Sequence, residues 1–166
     1  MDLPKRKTMR LKAYDYSANG AYFITICTAN RRHLFGEIVE AALSGRPNSP
    51  NAMLEKWLHE VANKYMNAQI DKYIIMPNHL HAIILLSGDH AGSPLPEIVG
   101  WFKTMTTNEY INGVKKGLYE PFEKRIWQRS FYDHIIRDED DYLRIWQYID
   151  ENPAKWIEDK YYSESR

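Results

Sequence analysis

Residues 70 to 86, IDKYIIMPNHLHAIILL, place two apolar runs on either side of Pro77-Asn78. Proline removes a ladder donor, so the pair reads either as two strands around a tight corner or as one strand interrupted at Pro77. Along the second run successive side chains alternate between faces. His79, His81, Ile83 and Leu85 therefore share one side, and Leu80, Ala82, Ile84 and Leu86 the other. Both sides are apolar beyond position 82. The pattern predicts a central strand with two histidines at its mouth.

The flanking segments extend this into a fold. AYFITICT, residues 21 to 28, follows the turn dipeptide Asn19-Gly20 and reads as a strand, broken by Ala29 to Arg32. Loop chemistry from Leu43 to Pro50 precedes a helix over about 51 to 66, where Leu54, Leu58 and Val61 recur at helical spacing with Trp57 beside them. A second helix is expected from Glu97 to about Ile111, with Ile98, Trp101, Phe102 and Met105 on one face and Gly113 and Gly117 marking its exit. FYDHII, residues 131 to 136, reads as a further strand, and Asp138 caps a helix from Glu139 to about Glu151 that Pro153 stops. This order predicts an α+β protein of the ferredoxin-like split βαβ kind: an antiparallel sheet with helices on one face and an added C-terminal helix. Such a fold does not by itself name a function.

The length, 166 residues, suits one domain over 1–166. Hydrophobic and charged fractions of 44% and 27% are those of a globular chain, neither disordered nor fibrous. Cys27 is the only cysteine, which excludes an internal disulfide and any multi-cysteine metal site. The opening residues lack an apolar leader, and the longest aliphatic run, Ala82 to Leu86, is far too short to span a membrane. A cytoplasmic location with no membrane partner is the simplest expectation. Net charge is zero, but residues 1–12 form a basic arm carrying Lys5, Arg6, Lys7, Arg10 and Lys12, while the C-terminal segment is acidic.

Two imidazoles on adjacent same-face positions can chelate one divalent ion. The alternative is a pair of hydrogen-bonded structural histidines. The last helix offers a third group. Tyr142, Ile145, Trp146 and Ile149 form its core stripe, whereas Tyr148 and Asn152 fall off that stripe and stack on one flank at i, i+4 spacing. A tyrosine beside an amide that can hold metal through its oxygen suits a nucleophile and ligand pair. A surface tyrosine and a capping asparagine ahead of Pro153 would leave the same pattern.

YIIMPNHLHAIILL, WQRSFYDHIIRD and DYLRIWQYIDENPAKW, taken in order with YDYSANGAYFITICTANRRHLFGEI near the start, resemble the HUH single-tyrosine transposases, and within them the REP-associated tyrosine transposases. The resemblance implies a transposase that acts on single-stranded or hairpin DNA, with His79 and His81 as metal ligands and Asn152 as the third. Tyr148 would be the nucleophile that forms a 5′-phosphotyrosine, and Mg²⁺ or Mn²⁺ the ion. It also raises a homodimer as an option, with Tyr148 acting within one chain or across an interface. Asp150 and Glu151 fill the variable places of the Tyr-Ile-x-x-Asn-Pro stretch and add negative charge near a phosphate site. Arg31, Arg32, Lys103 and Arg129, interleaved with Trp127, are the expected DNA-binding groups, with Trp127 partly exposed. His134 is expected to support its neighbours rather than to bind metal. Two rivals share this scaffold: a nucleic-acid-binding module without catalysis, and a metallohydrolase that uses bound water.

Overall fold

The computed structural model describes residues 16, 18–38, 47–88 and 93–164. The basic arm over residues 1–12, and residues 43–46 of the first expected loop, lie outside them. Four strands form one antiparallel sheet: β1 (Gly20–Cys27), β2 (Ala68–Met76), β3 (His79–Leu86) and β4 (Tyr132–Ile136), in the spatial order β2-β3-β1-β4. Helices α1 (Pro50–Lys64) and α2 (Leu95–Lys115) connect them, and α3 (Glu139–Glu151) follows β4. This is the expected split βαβ arrangement.

Pro77-Asn78 is a tight corner. Met76 pairs with His79 across it, so β2 and β3 form a hairpin closed by two residues. The corner is tied down on its open side: Pro77 O accepts from Phe35 N and Asn78 O from Thr28 N. Between β3 and β1, His81 stands opposite Thr25 and His79 opposite Cys27.

Alternation along these strands builds two cores. Tyr22, Ile24, Ile26, Leu80, Ala82, Ile84 and Leu86 face α1 and α2, which bury Leu54, Leu58, Val61, Ile98 and Phe102 against them. Each such side chain contributes about 1.5–3 kcal/mol when fully removed from water. On the opposite face Phe23, Ile83 and Ile149 form a smaller cluster beneath α3. The histidines belong to this second face, so α3 and the histidine pair lie on the same side of the sheet.

Local signals set the helix ends. Ser49 Oγ accepts from Ala52 N with Pro50 in the first turn, and an Asp138 carboxylate oxygen accepts from Asp141 N at the start of α3. α2 runs beyond its expected end. Gly113 lies inside it because the Tyr119 ring occupies the space a Cβ would need, and the left-handed residue that ends the helix is Gly117 at φ +71°. Leu118 N and Gly117 N then bond Gly113 O and Val114 O, closing the helix carbonyls.

Two exposures differ from expectation. Trp127 is 4% exposed, packed on Phe35 and Phe102 with its indole N–H donated to Thr106 Oγ1, so it is a core residue without a free face. Trp146 is 40% exposed, because α3 presses only Ile149 fully into the sheet, and Lys72 lies over its ring at 3.6 Å.

Candidate active site

His79 and His81 enter the second face at the start of β3, and both are fully buried. Asn78 Oδ1 is 2.8 Å from His79 Nδ1, while Asn78 Nδ2 is donated to Arg31 O, Tyr161 O and Ser163 Oγ. An amide oxygen only accepts, so His79 carries its proton on Nδ1 and turns a lone pair outward from Nε2. His81 Nδ1 meets Thr25 Oγ1 at 2.8 Å, a hydroxyl that can donate or accept. The two Nε2 atoms are 3.1 Å apart. With Thr25 accepting from His81 Nδ1, both lone pairs converge on one point, as a shared cation requires.

Burial disfavours charge on either imidazole. It pushes His79 well below the usual histidine range, against the nearby Asp159 carboxylate, which pulls the other way. His81 is also pushed well down, by burial first and by His79 second. Both are thereby kept in the neutral form that ligates metal.

The tyrosine arrives from α3. Tyr148 Oη is 3.4 Å from His81 Nε2, and its ring meets Phe23 and His81 edge to face. Burial raises its pKa, and the Asp159 carboxylate raises it further, so the hydroxyl keeps its proton in this environment. One turn on, Asn152 is 3% exposed. Its Nδ2 is donated to Asp159 Oδ2 at 2.7 Å, and its Oδ1 is buried with no protein partner. A buried, unpartnered amide oxygen beside two converging imidazole nitrogens fits a divalent cation.

Asp159 was not visible in the sequence. Its carboxylate and the two imidazoles offer ligand atoms within 4.8 Å of one another. It sits after a short 3-10 turn, Trp156–Glu158, in a segment with no periodic pattern to mark it. Tyr161 was missed for the same reason, although its ring lies against both histidines at 4.9 and 5.6 Å. Around these groups opens a cleft of about 450 Å³, lined by Thr25, His81, Tyr132, Tyr148, Asn152 and Lys160 among others.

The acidic pair of the last helix is largely neutralised. Asp150 Oδ1 bonds Lys72 Nζ at 2.9 Å, and Glu151 is bound by Lys155 and Gln147. Among the expected DNA-binding groups, Arg31 and Arg129 are exposed and line a second cleft of about 510 Å³ with Arg125 and Gln128. Arg31 also donates to Lys160 O, and Arg32 to Pro121 O. Lys103 spends its ammonium on the carbonyls of Gln128, Arg129 and Ser130. His134 pairs with Asp141 at 2.8 Å, which ties β4 to the first turn of α3.

Residues 16–152 match the model of the IS200-like transposases. The chain belongs to the IS200-like transposase family. Two proteins of Haemophilus influenzae align along most of this transposase-family chain. One, carrying no functional description, is 34% identical over 95% of this chain and 93% of its own. The other, provisionally named a REP-associated tyrosine transposase, is 23% identical over 85% of this chain and 74% of its own. Among solved structures, a REP-associated tyrosine transposase bound to a REP hairpin superposes with a TM-score of 0.59 at 23% identity, covering 89% of this chain and 73% of that one. A transposase-like protein of Deinococcus radiodurans superposes with a TM-score of 0.52 at 17% identity, covering 87% and 96%. These two likenesses establish the shared fold. No helix among the described residues is long and apolar enough to cross a membrane.

Proposed function

We propose that this chain is a metal-dependent transesterase of single-stranded or hairpin DNA, with Tyr148 as nucleophile. The observation that carries the reading is the meeting, within one chain, of the Tyr148 hydroxyl with His81 Nε2 at 3.4 Å, next to the converging histidine lone pairs and the unpartnered Asn152 Oδ1. His79, His81 and Asn152 would hold Mg²⁺ or Mn²⁺, and two imidazoles lean toward Mn²⁺. When bound, the ion supplies Lewis-acid polarisation of a phosphate oxygen.

The chain's own residues do the rest. Tyr148 Oη attacks phosphorus, the new oxygen–phosphorus bond replaces the bond to the 3′ oxygen, and the phenolic proton ends on the released 3′-hydroxyl. One ester is exchanged for another, so the 5′-phosphotyrosine conserves the energy needed to rejoin strands. α3 packing through Ile149 fixes the direction of attack, since Tyr148 precedes that buried anchor by one residue. Arg31 and Arg129 supply exposed cations for backbone phosphates, with Arg32 beside them. The REP hairpin bound by the solved relative supports DNA of this kind as the substrate class.

The test incubates the purified chain and Tyr148→Phe with labelled single-stranded DNA from the repeats flanking its gene, with Mn²⁺, on a denaturing gel. A protein-linked DNA band in the unsubstituted chain alone is the expected outcome. Cleavage by both without an adduct would replace the reading with a water-using hydrolase, and binding by both without cleavage would replace it with a recognition module.

A further inference from the structure

The side-chain amide of an asparagine has nearly the same shape either way round, but only one orientation presents oxygen to a cation. The other would aim two N–H donors at it. Whatever holds Asn152 must therefore discriminate between its two ends. The neighbour that does so is Asp159, whose carboxylate can only accept. Asn152 Nδ2 donates to its Oδ2 at 2.7 Å, and Oδ1 of Asn152 is left buried and unpartnered.

Asp159 is itself fixed. Its Oδ1 accepts from Tyr161 N at 2.7 Å, and its own N–H donates to Trp156 O at 3.1 Å, so a backbone turn holds the carboxylate in place. The residue lies beyond positions 16–152, which match the family model.

We infer that Asp159 is a positioning residue: it locks the Asn152 amide so that Oδ1, and not Nδ2, faces a cation held by His79 and His81. The inference rests on the metal site proposed above. Asp159 Oδ2 accepts from the Asn152 amide and Oδ1 from Tyr161 N, the pair of contacts that positioning needs, while the carboxylate is also close enough to the histidines to compete as a ligand.

A double-mutant cycle separates the two, read by calorimetric titration of Mn²⁺ into the full chain without DNA. Asp159→Ala is expected to weaken Mn²⁺ binding about 10-fold or more, the usual effect of removing a group that orients a ligand. Asn152→Ala weakens it similarly, and adding Asp159→Ala to Asn152→Ala changes nothing further, because the lock then has nothing to hold. A further loss of about 10-fold in that background would make Asp159 a ligand in its own right and overturn the inference. So would unchanged binding by Asp159→Ala.

Asp159→Asn serves if the alanine variant fails to fold. It keeps an acceptor for Tyr161 N, yet its amide can turn a donor onto Asn152 Oδ1, so it too is expected to bind more weakly. Combining it with Asn152→Asp restores the hydrogen bond with its direction reversed and one carboxylate oxygen facing the histidines. Recovery of binding in this exchanged pair is expected, and its absence would overturn the lock. Should the unsubstituted chain bind no Mn²⁺ at all, the metal site fails and the inference falls with it. Binding that responds to Asn152 but not to Asp159 leaves the metal site standing and removes the inference alone.

Discussion

Thr25 Oγ1 lies 2.8 Å from His81 Nδ1, across the pair of central strands in which the two residues stand opposite each other. A hydroxyl allows His81 either tautomer, and accepting from Nδ1 is the state that frees Nε2. Thr25→Val keeps the β-branched shape and deletes this contact. It is expected to lower Mn²⁺ affinity about 10-fold or more and to cost about 1–3 kcal/mol of stability by orphaning a buried ring nitrogen. Calorimetric titration and urea unfolding would check both, and wild-type values in the two assays would mean that His81 is oriented by something else.

Metal should stabilise the fold by mass action. At 100 times the dissociation constant, a ligand that binds only the native state contributes about 2.7 kcal/mol, or roughly 5–10 °C in Tm for a chain of this size. Saturating Mn²⁺ is therefore expected to raise Tm, EDTA to reverse the rise, and His79→Ala/His81→Ala to abolish it. A rise that persists in that double variant would place the bound ion elsewhere.

Acid should destabilise the metal-free chain before ordinary carboxylates begin to titrate. Both histidines have pKa values pushed down by burial, so below about pH 6.5 the unfolded chain binds protons that the folded chain refuses. Stability from these two groups is complete above that pH and falls as the pH is lowered. Asp141 is shifted below 3.8, so the stability it contributes is lost only at much lower pH. Urea midpoints in EDTA between pH 7.5 and 5.5 should fall for the unsubstituted chain and stay flatter in His79→Gln/His81→Gln. Equal slopes in the two would show that the histidines are not the groups responsible.

The strands around Pro77-Asn78 were legible because two-residue alternation is a property of neighbouring side chains, which a sequence displays directly. The same alternation put His79 and His81 on one face. Helical spacing likewise separated Tyr148 and Asn152 from the buried Ile149. Asp159 and Tyr161 were not legible, since a 3-10 turn and irregular chain bring them to the histidines without any period. The burial of Trp127 is not legible for a related reason: it depends on Phe35, Phe102 and Thr106, three residues distant in sequence that only the folded sheet and α2 assemble around it.

That burial separates two sequence neighbours expected to contact DNA together. Arg129 is exposed beside Arg31 and Arg125, whereas Trp127 is core. Arg129→Ala is expected to leave thermal stability unchanged, weaken binding of single-stranded DNA and reduce the slope of log K against log salt by about 0.7, the value for one lost phosphate contact. Trp127→Ala should instead cost about 3–5 kcal/mol of stability through the cavity it leaves, and any folded fraction should bind DNA with an unaltered salt slope. Fluorescence anisotropy across a salt series, with urea unfolding of the same samples, reads both quantities. If Trp127→Ala proved stable yet weak in DNA binding, the indole would have to leave Thr106 and reach a base, and this face of the molecule would need a second conformation.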